Sequence, residues 1–287
     1  MKVVITGKGG QLASELIETA PALVCLRAYS SIDLDITDRV AVEKIIAAEA
    51  PNIVINAAAY TAVDKAESDS ETAYLVNEVG ARNIAEACKA GGARLLHVST
   101  DFVFDGAKTK PYSTHDTPNP LNVYGASKLA GDKAVVSVLP EASLIVRTAW
   151  VYSAAGNNFV KSMLRLMAEK PELGIVYDQV GTPTWAKGLA QWLWGMAERP
   201  EATGVYHWTD AGVASWYDFA VAIQELALEK GLLNSAISIL PIRASQYPTP
   251  AIRPAFSVID KASAEEVSGI QTIHWRKQLS AMLDELC

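Results

Sequence analysis

Hydrophobic residues in the first half of the chain alternate between two patterns. Short, nearly continuous apolar runs at Val3–Thr6, Leu23–Arg27, Ile53–Ala57, Leu95–Ser99 and Ser143–Arg147 read as buried strands. Between them, segments near Leu12–Thr19, Val40–Ala50, Glu71–Ala90 and Tyr124–Val138 repeat their apolar positions with helical period. Strands of this kind need cover on both faces, and intervening helices supply it. The pattern therefore predicts an α/β fold, a Rossmann-type doubly wound parallel sheet, with ligands at the carboxyl ends of its strands.

After Trp150 the alternation weakens. A helix is expected over Val160–Glu169, a strand over Gly174–Tyr177, a tryptophan-rich helix around Trp185, Trp192 and Trp194, and a helix over Trp216–Glu229. The tryptophans are expected to pack a core. Residues Pro241–Pro254, with four prolines, read as an extended loop. The expected organisation is a nucleotide-binding domain over 1–150, joined by parts of 174–206. A smaller, discontinuous mixed α/β C-terminal lobe over 151–287 would carry substrate contacts.

Composition narrows the function classes. Among 287 residues, 50% are hydrophobic and 20% charged, which is an ordinary globular balance. A net charge of −7 argues against a nucleic-acid surface. Cys25, Cys88 and Cys287 have neither metal-ligand spacing nor a disulfide framework, so a reducing cytoplasm is expected. Strand pattern from Lys2 onward leaves no expected secretory leader, and no apolar run is long enough for a membrane span.

Candidate chemistry gathers at the strand ends. Thr6-Gly-Lys-Gly-Gly-Gln-Leu-Ala13 sits where the first strand turns into a helix. Gly7 permits the turn, Gly10 lets backbone approach a pyrophosphate at the positive helix end, and Ala13 keeps helix and strand close. Arg27, followed by Ser30 and Ser31, is a candidate for a 2′-phosphate, favouring NADP; the alternative is a solvated surface arginine. Asp35 either faces an adenine or, like Asp38, caps the next helix. Ala57, Ala58 and Ala59 leave room for a cofactor, and Asp64 and Glu67 suit helix capping. His97, inside an apolar strand, reads as a core histidine.

Tyr124 and Lys128, at i and i+4, share one helix face, and an ammonium near a phenol favours the phenolate. With the Thr100 hydroxyl holding a carbonyl oxygen, such a set suits reduction of a ketone or the reverse oxidation. Alone, the Tyr-x-x-x-Lys spacing is weak in a chain with 10 tyrosines. Its weight comes from the glycine turn in the same domain.

Taken together, several strings resemble the extended short-chain dehydrogenase/reductase superfamily and, within it, the dTDP-4-dehydrorhamnose reductase family. They are Gly7–Leu12, Asn56–Glu67, Ser99–Gly106, Pro120–Lys128, Arg147–Tyr152, Gly156–Phe159, Asp178–Thr184 and Tyr247–Pro254. The Tyr/Lys pair marks only the superfamily; the Asn56 and Tyr247 strings are more specific.

The resemblance implies an NADPH-dependent reductase (NADH being possible) acting on C4 of a nucleotide-linked 4-keto sugar. Tyr124 would donate the proton, Lys128 would tune it and bond the nicotinamide ribose, and Thr100 would hold the reacting oxygen. Asp101 and Trp150 would lie by the sugar, with Asn158 and Arg253 near its nucleotide diphosphate. Gly10, Gln11, Leu12, Asp35, Ile36, Ala57, Ala58, Ala59 and Tyr60 would line the cofactor. The alternatives are a reductase or epimerase of another nucleotide sugar, and a non-catalytic NADP-binding regulatory subunit. Some family members hold Mg²⁺ between subunits with glutamates. Glu15 and Glu285 match that pattern, but Lys187 stands where a third glutamate is expected. No metal is expected, the lysine being free to pair with either glutamate, and the chain is expected to be a monomer or metal-independent homodimer.

Overall fold

The computed structural model describes residues 1–287. Five strands, β1 (Lys2–Thr6), β2 (Cys25–Tyr29), β3 (Ile53–Asn56), β4 (Arg94–Thr100) and β5 (Ser143–Thr148), are joined by Gly204–His207 in one sheet. The order is Gly204–His207, β5, β4, β3, β1, β2, with every neighbour parallel. From β1 the chain goes outward to β2, then crosses back to β3 on the other side. Helices following β1 and β3 therefore diverge, opening a crevice at the carboxyl ends of these two strands.

Two apolar layers cover the sheet. Val3, Ile5, Ile55 and Leu96 pack with helix Gln11–Glu18 and with Leu189, Trp192 and Leu193 of helix Ala186–Ala197. On the opposite face, Val4, Val54, Leu95 and Ile145 meet Val42 and Ile46, Ile84 and Cys88, and Val135. Trp192 and Trp194 are buried, so these tryptophans pack as expected. A separate cluster around Tyr152, Met163, Phe219, Trp275 and Leu279 forms the core of the C-terminal elements. There Glu172–Val176 pairs in parallel with Ser238–Ile242, so the expected proline-rich loop begins as a strand.

The single helix expected over Glu71–Ala90 is instead three segments. Helix Ser70–Tyr74 leads into a π-helical stretch, Leu75–Gly80, and then into helix Ala81–Gly91. Hydrophobic periodicity does not register one widened turn. Tertiary bonding stabilises it here. The Asn77 amide accepts from Tyr60 N (2.9 Å) and donates to Tyr60 O (3.1 Å) and Ser127 Oγ (2.9 Å). The π turn thereby fixes both the loop after β3 and the helix carrying Tyr124.

That helix, Val123–Val138, is capped by Asn122, whose side chain accepts from Gly125 N at 2.7 Å. Glu67 accepts from Val123 N at 2.8 Å, taking up a second orphan amide. Gly125 makes a close approach possible: a β-carbon there would lie 2.2 Å from the Phe102 carbonyl oxygen. Gly125→Ala is therefore expected to push the helix off the end of β4 and to cost about 1–3 kcal/mol of stability. Urea denaturation checks this, and an unchanged midpoint would contradict the close contact.

Candidate active site

At the crevice, Gly7 has φ +85°, and a β-carbon on it would sit 2.8 Å from the Ala57–Ala58 backbone. Only glycine meets both demands. Helix Gln11–Glu18 begins just beyond, with Gly10 as N-cap and no side-chain cap, leaving its first amides for an anion. The strand ends are tied by Asn56, which accepts from Thr6 Oγ1 (2.6 Å) and Ala58 N (3.2 Å) and meets His97 Nδ1 at 3.0 Å. Burial holds His97 well below its ordinary pKa, so it is neutral and structural. Above lies a cleft of about 920 Å³. The bare helix terminus, the glycine turn and the small side chains of Ala57–Ala59 fit a dinucleotide pyrophosphate.

Thr100 ends β4 and projects into this cleft beside Tyr124 and Lys128. The Thr100 hydroxyl donates to Asp101 Oδ1 at 3.1 Å and accepts from Phe102 N at 3.2 Å. Burial of the Tyr124 hydroxyl pushes its pKa up to about 12, helped by the charges of Asp101 and Asp132. Lys128 is 2% exposed, and its Nζ donates to Val98 O at 2.8 Å. Burial draws its pKa down to about 8, against the pull of Asp132.

The expectation that Lys128 lowers the Tyr124 pKa is thereby corrected. Desolvation outweighs the neighbouring ammonium, whose bonding is directed at the Val98 carbonyl. At neutral pH the phenol keeps its proton, the form a proton donor requires. Asp101 is buried, Oδ2 lacks a partner, and desolvation raises its pKa to about 7.

Trp150 forms the far wall. Its φ of +47° is uncommon for a large side chain, and its ring stacks on Trp216 at 3.5 Å and 4°. Asn158 caps helix Phe159–Glu169, accepting from Lys161 N at 3.1 Å, while its amide donates to Gln11 Oε1 (2.9 Å) and Ser153 O (2.7 Å). Arg253 reaches the cleft edge as a fork on Asp64: Nη1 to Oδ1 at 3.0 Å and Nη2 to Oδ2 at 2.7 Å. The guanidinium holds the Asp64 carboxyl below its ordinary pKa. Asp64 thus serves the Tyr247–Pro254 segment, and Glu67 serves the Tyr124 helix, where both were expected to cap the next helix.

Tyr124, Lys128, Thr100, Asp101, Gly7, Gly10, Gln11, Leu12, Asp35, Ile36, Ala57–Tyr60, Trp150, Asn158 and Arg253 all line this one cleft. Arg27 does not join them, and its expected phosphate contact is corrected. The second strand extends to Tyr29, so Arg27 lies in mid-strand opposite Val4, with its side chain 4.0 Å from Glu49. Ser31, past the strand end, and Lys8 line the cleft instead. The capping alternatives divide: Asp38 accepts from Ala41 N at 3.1 Å, while Asp35 lines the cleft and accepts from Thr37.

Sequence reasoning also missed Trp216 as a cleft residue. Its place at the first position of a helix, inside the Ser215/Asp218 capping box, was the available signal. Away from the cleft, Lys187 bonds both Glu18 Oε1 (3.0 Å) and Glu285 Oε1 (2.5 Å). Glu15 instead accepts from Ser153 Oγ at 2.6 Å.

The chain matches the RmlD substrate binding domain family over residues 1–287. It is 41% identical to a dTDP-4-dehydrorhamnose reductase of Aggregatibacter actinomycetemcomitans, covering 97% of both chains. A crystal structure of a dTDP-4-dehydrorhamnose reductase from Clostridium acetobutylicum superposes with TM-score 0.93 at 39% identity, covering 100% of this chain and 99% of the other. A Bacillus anthracis dTDP-4-dehydrorhamnose reductase in complex with NADP gives TM-score 0.93 at 35% identity, covering 99% of each. With the match running from end to end and the same fold beneath it, the chain belongs to the RmlD substrate binding domain family.

Proposed function

We propose that this chain is a dTDP-4-dehydrorhamnose reductase. It reduces the C4 ketone of dTDP-4-dehydro-6-deoxy-L-mannose to dTDP-L-rhamnose with NADPH, in nucleotide-sugar and cell-surface polysaccharide biosynthesis. The observation that carries the reading is the convergence of Thr100, Tyr124 and Lys128 on a cleft that begins at a dinucleotide-type glycine turn. Relatives of this name at 37–41% identity support it across the whole chain, and a neighbour holding NADP supports the cofactor.

The cofactor supplies the hydride to C4. Tyr124, a phenol at neutral pH, donates the proton to the C4 oxygen, which Thr100 holds. Lys128 bonds the nicotinamide ribose and compensates the phenolate left behind. Asp101 lies by the sugar, and Trp150, stiffened by Trp216, presents it with a flat apolar wall. Gln11 and Asn158, bonded to each other, and Arg253, anchored on Asp64, border the diphosphate path. Lys8 and Ser31 take the adenosine 2′-phosphate, because the acid nearest by sequence, Asp33, is turned back onto Ser30.

In this reading residues 1–150, with parts of 174–206 and the Gly204–His207 strand, hold the cofactor, and most of 151–287 holds the sugar nucleotide. The protein works in the cytoplasm as a monomer or metal-independent homodimer, Lys187 supplying between Glu18 and Glu285 the positive charge a cation would bring.

Turnover of NADPH with 4-keto sugar nucleotides of differing sugar and base tests the substrate directly; activity confined to another sugar nucleotide would overturn it. Tyr124→Phe is expected to lower kcat by about 10²-fold or more with NADPH affinity retained, as steady-state kinetics and fluorescence titration would show. Lys8→Ala is expected to weaken NADPH about tenfold and leave NADH unchanged, whereas Arg27→Ala changes neither. Treatment with EDTA is expected to alter neither activity nor sedimentation; a chelator-sensitive dimer restored by Mg²⁺ would contradict the role given to Lys187.

A further inference from the structure

Behind the cleft, helix Val123–Val138 buries a second charged side chain one turn beyond Lys128. Asp132 is 3% exposed. From β5, Arg147 approaches its Oδ2 at 3.4 Å, and from β4, His97 Nε2 stands 3.9 Å from its Oδ1. Ser99, also on β4, faces it, while Lys128 and Tyr124 on its own helix feel its charge. His97 is neutral, so the buried charges are two cations, Lys128 and Arg147, with a single anion between them.

A carboxylate serving only to knit the helix to the sheet would be saturated with hydrogen bonds. This one is not. Its Oδ1 has no partner, nor have His97 Nε2, Ser99 Oγ or Arg147 Nη1 around it, and the one direct contact, to Arg147, is long. Lys128, for its part, bonds only a neutral carbonyl, Val98 O. An ammonium so desolvated sheds its proton unless an anion is near.

We propose that Asp132 is a positioning residue for the reaction: it keeps Lys128 in its ammonium form, so that the charge is in place when Tyr124 gives up its proton. Arg147 in turn keeps Asp132 ionised. The inference rests on the roles given above to Tyr124 and Lys128.

The test follows the Lys128 side-chain nitrogen by NMR in ¹⁵N-lysine-labelled enzyme, assigned with Lys128→Met. It runs beside the pH profile of kcat/KM for NADPH. In the unaltered enzyme both are expected to fall off near pH 8, with the ammonium present below and lost above. In Asp132→Asn both midpoints move lower by about one pH unit or more, so that activity at pH 9 falls about tenfold further than at pH 6. Asp132→Glu keeps the original midpoints. An Asp132→Asn protein with an unmoved nitrogen midpoint, or with activity lowered equally at every pH, would overturn the proposal. Should Asp132→Asn not fold, Arg147→Gln serves: without the guanidinium that keeps Asp132 ionised, the Lys128 midpoint is expected to fall, and no movement overturns the proposal. The nitrogen titration needs no sugar substrate. Loss of the reductase reading would appear separately, as absent turnover.

Discussion

How closely the Val123–Val138 helix lies against the end of β4 governs the chemistry of the cleft. Gly125 admits the Phe102 carbonyl where any side chain would collide, and Asn122, Glu67 and the π turn at Asn77 hold the helix there from three directions. Tyr124 and Lys128 are carried with it, the phenol against Thr100 and the amine against Val98 O. The same approach removes water from both groups. Position and protonation state are therefore two results of one packing constraint.

Desolvation at that contact reverses what charge alone would do. A phenol and an ammonium one helical turn apart suggest a lowered phenol pKa, but burial acts on each group separately and raises one while lowering the other. The donor is stabilised in the form that still has a proton to give. Ion pairing is arranged at a distance from the reacting atoms, between Asp132 and Arg147 on the buried side of the helix and between Asp64 and Arg253 at the cleft edge.

The Asp64–Arg253 fork also accounts for two strings that are far apart in the chain. Asn56–Glu67 leaves the sheet and Tyr247–Pro254 returns from the C-terminal elements; Asp64 accepts from Arg253 and from Ala251 N, and Asn122 donates to Ile252 O at 2.8 Å. A stretch rich in proline has few backbone donors of its own, so its course depends on such outside partners. The cleft wall it forms is held in shape by the nucleotide-binding half.

Much of this protein was legible in its sequence. Apolar runs and helical periodicity depend on which faces are buried, and in a doubly wound sheet both strand faces are, so the five strands and most helices could be read locally. The Tyr-x-x-x-Lys spacing and the glycine turn are likewise local geometry, and their residues do meet. What the sequence left undecided were distances set by partners far along the chain. A strand shifted two residues beyond its apolar run carried Arg27 away from the cleft, leaving Ser31 and Lys8 there. The widened turn at Leu75–Gly80 is held by bonds to Tyr60 and Ser127. Trp216 gained its place by stacking on Trp150, and Asp132 by the burial of a helix face whose periodicity gives no hint of charge. Pattern determines which face of an element is buried; only the packed fold decides which groups face one another there and how much water remains between them.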